Sequence, residues 1–209
     1  MHIIKQFRIT LAGIVACTIF VISLTTLAIS APVNQTAVFA GGCFWGVDAV
    51  FKHVRGVVEV ISGYAGGSAT TADYEDVSTG QTGHAESVRI VFDPGMVTYR
   101  QLLEIFFSVA HDPTQLNRQG PDFGTQYRSV IFYMSPDQQV QAKNFIDRLT
   151  AAHTFSSPIV TQVVPLNQFY PAEKHHQNYL ASHLDQPYIV INDLPKLEQL
   201  RRKFPSLYR

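Results

Sequence analysis

Beyond residue 36, apolar positions recur with two different spacings, and the switches between them outline the elements. Ala37-Val38-Phe39-Ala40 is a short continuous apolar run that predicts a buried strand. Gly41-Gly42 turns the chain, and Trp45, Val47, Val50, Phe51 and Val54 then form a helical stripe. Val57 to Ile61 predicts a second strand, closed by the glycine-rich turn Ser62-Gly63-Tyr64-Ala65-Gly66-Gly67. Residues 68–86 show no periodicity and predict a long polar loop, a feature that in compact domains usually serves function. Ser87 to Asp93 alternates as a strand and ends at Pro94-Gly95. Thr98 is an N-cap for a helix reaching Ala110, with Leu102, Leu103, Phe106 and Val109 on its buried face.

After a second loop, from His111 to Gln126, Tyr127 to Tyr133 predicts a further strand. Ser135-Pro136 starts a helix that runs to Ala152, with serine as cap and proline at the first position. Ile159 to Pro165 reads as a last strand, and Tyr170 begins another helix through Leu180. The tail from Pro187 carries Tyr188-Ile189-Val190-Ile191 before a basic helix from Leu194 to Phe204. The order β-α-β-β-α-β with additions predicts an α+β fold, its helices on one face of an antiparallel or mixed sheet.

The leading residues follow another pattern. Lys5 and Arg8 stand before a stretch from Ile9 to Ile29 that holds no charged residue. Ala28-Ile29-Ser30 then offers small residues where a signal peptidase reads them, so cleavage after Ser30 is expected. The stretch is also long enough for an uncleaved membrane anchor. Ile14-Val15-Ala16-Cys17 resembles a lipid-attachment box, although apolar residues continue past Cys17. In each case the positive charges on the leading side place the remainder outside the cytoplasm, periplasmic or extracellular. Residues 1–30 are thus expected to be a targeting segment, 31–36 a linker and 37–209 a single domain.

Composition narrows the function classes. The chain of 209 residues has zero formal net charge, so no basic excess points to nucleic acid or an anionic surface. Without the leading segment roughly 175 residues remain, enough for one well-buried core. Two cysteines are present, and Cys17 belongs to the leading segment. Cys43 is then alone in the exported domain, either a free reactive thiol or an intermolecular partner.

Cys43 follows two glycines and opens a helix, where unpaired N–H groups and the helix dipole favour a thiolate, the nucleophilic form. The plainer reading is a small buried hydrophobe. Glu86, at the mouth of a strand beside apolar and aromatic groups, is a candidate proton donor with a raised pKa. Asp122 is placed either to orient a partner or to cap its loop. Tyr74 and Tyr127 offer hydroxyl donors or simple packing. Phe44 and Trp45 can cage a small methyl-bearing group. Metal binding has little support: the adjacent His175 and His176 point roughly 100° apart on a helix, and His84-x-Glu86 lacks a third ligand. No metal or organic cofactor is expected.

Four blocks, in order, carry a resemblance. These are Gly42-Cys43-Phe44-Trp45-Gly46; Thr79-Gly80-Gln81-Thr82-Gly83-His84-Ala85-Glu86; His111-Asp112-Pro113 with Gly124-Thr125-Gln126-Tyr127-Arg128-Ser129; and Phe169-Tyr170-Pro171-Ala172-Glu173 with His176. From Ala37 to Leu184 the chain resembles the A-type peptide-methionine sulfoxide reductases, repair enzymes for oxidised methionine. The resemblance implies a two-layer α+β sandwich with a ferredoxin-like core and a C-terminal extension. It implies Cys43 as nucleophile, Glu86 as acid, Tyr74 and Tyr127 on the sulfoxide oxygen, Asp122 on the substrate-backbone side, and Phe44 and Trp45 around the methyl group. The expected substrate is the S epimer at sulfur, free or protein-bound. Many members carry resolving cysteines near the C-terminus; Asp185 to Arg209 has none. An external thiol of the thioredoxin, glutaredoxin or glutathione kind is therefore expected to complete the cycle. A cysteine hydrolase or acyltransferase using His84 or His176 as base, and a non-catalytic module for methionine-like groups, are the competing readings.

Overall fold

The computed structural model describes residues 33–209; the expected signal or anchor segment and Cys17 lie outside the described residues. The chain runs β1 (Gln35–Ala40), α1 (Phe44–Lys52), β2 (Val57–Ala65), α2 (Tyr74–Ser78), β3 (Ala85–Phe92) and α3 (Tyr99–Ile105). It continues through β4 (Arg118–Gln119), β5 (Asp122–Phe123), β6 (Val130–Tyr133), α4 (Pro136–Ala151), β7 (Gln162–Pro165), β8 (Phe169–Pro171), α5 (Tyr179–Ser182) and α6 (Leu194–Lys203).

Six strands form one sheet in the order β7-β6-β1-β3-β2-β8, with β4 and β5 as a separate small hairpin. The inner four, β6-β1-β3-β2, are antiparallel, and β7 adds in parallel outside β6. This is the ferredoxin-like arrangement expected of β-α-β-β-α-β: each helix carries the chain over the sheet to a strand that is not its immediate neighbour. The fold is α+β, as the order of elements predicts.

Alternation along the central strands divides the interior. Ala37 and Phe39 of β1, Val88, Ile90 and Phe92 of β3, and Ile131 of β6 face the helices, meeting Val47, Val50, Phe51, Leu102 and Leu103. Val38, Ala40, Ala65, Ala85, Val130 and Phe132 face the opposite side, beneath Phe169, Val164 and Leu166. Because β1 is covered on both faces, Ala37 to Ala40 are all fully buried, which is why the run reads as continuous rather than alternating. Burying each large side chain here contributes about 1.5–3 kcal/mol.

Several helix boundaries fall where sequence places them. Thr98 makes a full capping box with Gln101, and Ser135 accepts from the Gln138 N–H with Pro136 behind it. Other expectations need correction. The second strand does not end at Ile61 but continues to Ala65, because β3 and β8 pair with Gly63, Tyr64 and Ala65 on both sides. Residues 68–86 are not one irregular loop: they hold a short turn at Ala69–Thr71 and then α2, capped by Asp73, whose Oδ1 accepts from the Asp76 N–H at 3.0 Å. Tyr170 does not start a helix. Residues 169–171 form an edge strand on β2, followed by a turn at Lys174–His176 and the short α5. Glu86 lies inside β3, opposite Tyr64, rather than before the strand. The helix from Thr98 widens into a π-type turn over Phe106–Ala110.

Candidate active site

Cys43 stands at the cap position of α1, one residue before Phe44. Gly42 reaches it with φ +91°, and a Cβ there would collide with the Gln119 side chain at 2.5 Å. Both the conformation and the crowding require glycine. The Phe44 N–H, free at the start of the helix, donates to Glu86 Oε2 at 2.9 Å. The first amide of the helix therefore ties the strand carrying the acid to the turn carrying the thiol.

Glu86 is 3% exposed. Burial pushes its carboxyl up to about 8, the Phe44 N–H pulls it down, and Asp122 adds to the rise. At neutral pH the carboxyl is protonated, the state a proton donor requires. The thiol answers differently from the sequence expectation. Burial first, then the nearby Glu86 and Asp193 carboxylates, raise the pKa of Cys43 well above that of an ordinary thiol. The Trp45 N–H pulls the other way, yet the side chain makes no full capping hydrogen bond. Burial outweighs the helix terminus, and the surrounding acids add to it. Cys43 rests as the thiol.

The two tyrosines come from separate turns. Tyr74 opens α2, and its N–H donates to Glu173 Oε1 at 2.9 Å, while Glu173 Oε2 accepts from Tyr64 Oη at 2.9 Å. Burial alone would push the Glu173 carboxyl up, but these hydrogen bonds hold it below its ordinary value, so it stays an anionic anchor. Tyr127 ends the turn Thr125–Tyr127. Arg128 pins that turn to the approach of β3 by donating to Gly83 O, His84 O and Thr125 O at 2.8, 3.0 and 2.9 Å. Burial raises both phenols, with Glu86 and Cys43 contributing, so the hydroxyls stay protonated and face the same charges as the thiol.

Phe44 and Trp45 divide the work expected of a cage. Phe44 is buried, its ring 5.9 Å from Tyr64 and 5.2 Å from His176, so it forms a floor rather than an open wall. Trp45 is half-buried, lies flat on Tyr179 at 3.6 Å, and donates its indole N–H to His176 Nδ1 at 3.2 Å. Asp122 accepts from the Tyr188 hydroxyl at 2.5 Å. Its charge reaches Cys43 and Glu86, but its hydrogen bond goes to the tail of the chain.

The structure brings all seven candidate residues into one region and adds others. Glu173 and His176 lie within one of the motif blocks, but their roles emerge only from contacts. Tyr188, Asp193 and Lys196 carried no signal in the sequence. The C-terminal segment reaches Asp122 and the first turn of α1 through contacts that no local pattern encodes.

Neither candidate histidine, His84 or His176, is placed as a base. Because an indole N–H can only donate, His176 Nδ1 is the acceptor and Nε2 carries the proton in the neutral ring. Both His84 ring nitrogens are engaged, one by the Gly67 N–H at 3.2 Å and one with Ser68 O at 2.9 Å. The cysteine-hydrolase reading therefore lacks its partner.

A protonated thiol, a buried carboxyl raised toward neutrality and two phenols that feel both are a set suited to thiol-dependent chemistry with proton donation. The family model for peptide methionine sulfoxide reductase matches residues 35–207. A peptide methionine sulfoxide reductase MsrA 2 of Mesorhizobium japonicum is 56% identical over 179 residues, covering 86% of this chain and 92% of its own length. The MsrA of Acidobacterium capsulatum is 60% identical over 144 residues, covering 69% of this chain and 92% of its own. Among solved structures, reduced Mxr1 of Saccharomyces cerevisiae superposes with TM-score 0.67 at 31% identity, covering 73% of this chain and 87% of that one. Methionine sulfoxide reductase A of Corynebacterium diphtheriae gives 0.64 at 36%, covering 72% and 76%. The chain belongs to the peptide methionine sulfoxide reductase family.

Proposed function

We propose that the domain reduces the S epimer of methionine sulfoxide, free or within proteins, with Cys43 as nucleophile and Glu86 as acid. One observation carries this assignment: a buried carboxyl at about 8 is hydrogen-bonded to the amide adjoining the thiol. A sulfoxide oxygen leaves poorly until it is protonated. Glu86 gives its proton to that oxygen while Tyr74 and Tyr127 donate hydrogen bonds to it, stabilising the charge that develops. The Cys43 sulfur forms a bond to the substrate sulfur; the protonated oxygen then leaves the substrate and bonds to Cys43, so the substrate S–O bond and the transient S–S bond both break and the methionine sulfur keeps the electron pair. The products are methionine and a Cys43 sulfenic acid. The thiol proton given up by Cys43 restores the carboxyl of Glu86. Trp45, over the Phe44 floor, packs against the methyl group, and Asp122 lies toward the substrate backbone.

Among the described residues Cys43 is the sole cysteine, so resolution within this domain has no second thiol available. A first external thiol displaces water from the sulfenic acid to give a mixed disulfide. A second thiol releases Cys43 and leaves with the first as a disulfide. A thioredoxin, glutaredoxin or glutathione-like thiol meets this requirement. Export rests on Lys5, Arg8 and the uncharged stretch from Ile9 to Ile29. Cell fractionation with and without residues 1–30 tests it; a cytoplasmic full-length chain overturns it.

The decisive assay mixes the domain from residue 31 onward with a racemic methionine sulfoxide peptide and dithiothreitol. Consumption of the S epimer alone, abolished by Cys43→Ser, supports the assignment. Consumption of the R epimer, or activity surviving Cys43→Ser, overturns it.

A further inference from the structure

The carboxylate of Asp193 is 1% exposed, yet it does not cap the helix it precedes: it accepts no hydrogen bond from the backbone amides of the first turn of α6. It points across to α1. A Cβ built on Gly46 would meet Asp193 Oδ1 at 2.1 Å and Lys196 Nζ at 2.7 Å, so both side chains lie against the first turn behind Cys43. Lys196 Nζ donates to Asp193 Oδ1 at 3.1 Å, while Asp193 Oδ2 has no partner among the described residues. Ile189, fully buried against Ala49 and Leu180, fastens this segment to the next turn of α1.

We infer that Asp193, held by Lys196 against the first turn of α1, is a positioning residue that helps hold Cys43 in its thiol form. This rests on the reading of Cys43 as the nucleophile. The free amides at a helix N-terminus are the usual source of thiolate stabilisation. A buried carboxylate seated against that turn draws on the same positive potential and opposes a second negative charge beside it. Burial raises the Asp193 carboxyl above its ordinary value, and the ammonium of Lys196 pulls it back toward the ionised form. The other charged and titratable groups facing the thiol are Glu86 from β3, Asp122 from β5, and the hydroxyls of Tyr74, Tyr127 and Tyr188. Glu86 titrates with the reaction and Asp122 is tied to Tyr188. Asp193 is the carboxylate near the thiol that is ion-paired to a lysine. The electrostatics agree, since Asp193 is among the groups raising the thiol.

The test needs no turnover. The rate of Cys43 alkylation by iodoacetamide, a neutral probe, is followed against pH in the full chain. Asp193→Asn is expected to lower the midpoint by on the order of one pH unit. Below the midpoint that shift makes alkylation about tenfold faster. The double variant Asp193→Asn with Lys196→Met, which leaves no unpaired charge, is expected to lower the midpoint as well, and it answers the question if the single variant fails to fold. A midpoint unchanged in a folded variant overturns the inference, as does faster alkylation with an unchanged midpoint, which reports access alone. Loss of turnover in Cys43→Ser, by contrast, bears only on the assignment of the nucleophile.

Discussion

Replacing Glu86 by glutamine separates the proton from everything else the residue does. Glutamine keeps the length and offers an oxygen to the Phe44 N–H, which now donates at 2.9 Å. It has no acidic proton. With the carboxyl at about 8, about nine copies in ten carry that proton at neutral pH. A positioned general acid is worth about 10²–10⁴ in rate, so kcat in Glu86→Gln is expected to fall by that factor. Wild-type kcat should decline as pH rises through about 8, and the variant should lose that limb. Stability moves in the opposite direction. The folded carboxyl is raised from 4.5 to about 8, so the native state holds its proton more tightly than the unfolded chain does. Stability from this group is full below the unfolded pKa and is lost as pH rises through the folded one, by about 5 kcal/mol as an upper bound. Glutamine suffers no such loss. The variant should therefore unfold at a higher temperature than wild type in alkaline buffer while being far less active. Steady-state turnover of an S-sulfoxide peptide, paired with thermal melts at neutral and alkaline pH, measures both. Wild-type kcat in the variant, or a wild-type profile flat through pH 8, refutes the assignment.

Gly46→Ala forces a methyl into the Asp193 carboxylate and should cost about 1–3 kcal/mol, read as a lower denaturant midpoint with an unchanged slope. Trp45→Phe removes the hydrogen bond to His176 and keeps the ring; a loss of about 1 kcal/mol predicts an approximately fivefold fall in kcat/KM. One turnover without reductant should add a single oxygen to the intact mass, with the label of a sulfenic-acid probe on Cys43; an internal disulfide instead would refute external resolution.

What sequence revealed and what it concealed differ by the range of the interactions involved. Gly41-Gly42-Cys43 and the stripe from Trp45 to Val54 are local, so the turn, the helix and the thiol at its start were all legible. Ser135-Pro136 and Thr98 with Gln101 were legible for the same reason. The small α2 was also within reach: Asp73 as cap, with Glu75 and Asp76 in its first turn, is a helix-start signature embedded in polar sequence. The edge strand at Phe169–Pro171 was not, because three residues hold their conformation only through pairing with Gly63 to Ala65. The acidity of Cys43 departs from the local expectation first because the thiol is buried. A helix terminus acts on whatever anions surround it, and Glu86, Asp122 and Asp193 come from three distant parts of the chain. Phe44 and Trp45 are adjacent in sequence and were expected to act alike, yet one is floor and the other half-open wall.

The suppressed acidity of Cys43 has a consequence for biogenesis. It depends on burial and on carboxylates that meet only when β3, β5 and the segment around Asp193 have all docked on α1. An unfolded chain has none of this, and its cysteine titrates like that of a simple peptide. The sulfur is thus more readily ionised before folding than after it. Thiol-blocking reagents and oxidants should trap nascent or refolding molecules under conditions the finished enzyme survives, so recovery of active protein will depend on reductant present during folding rather than during storage.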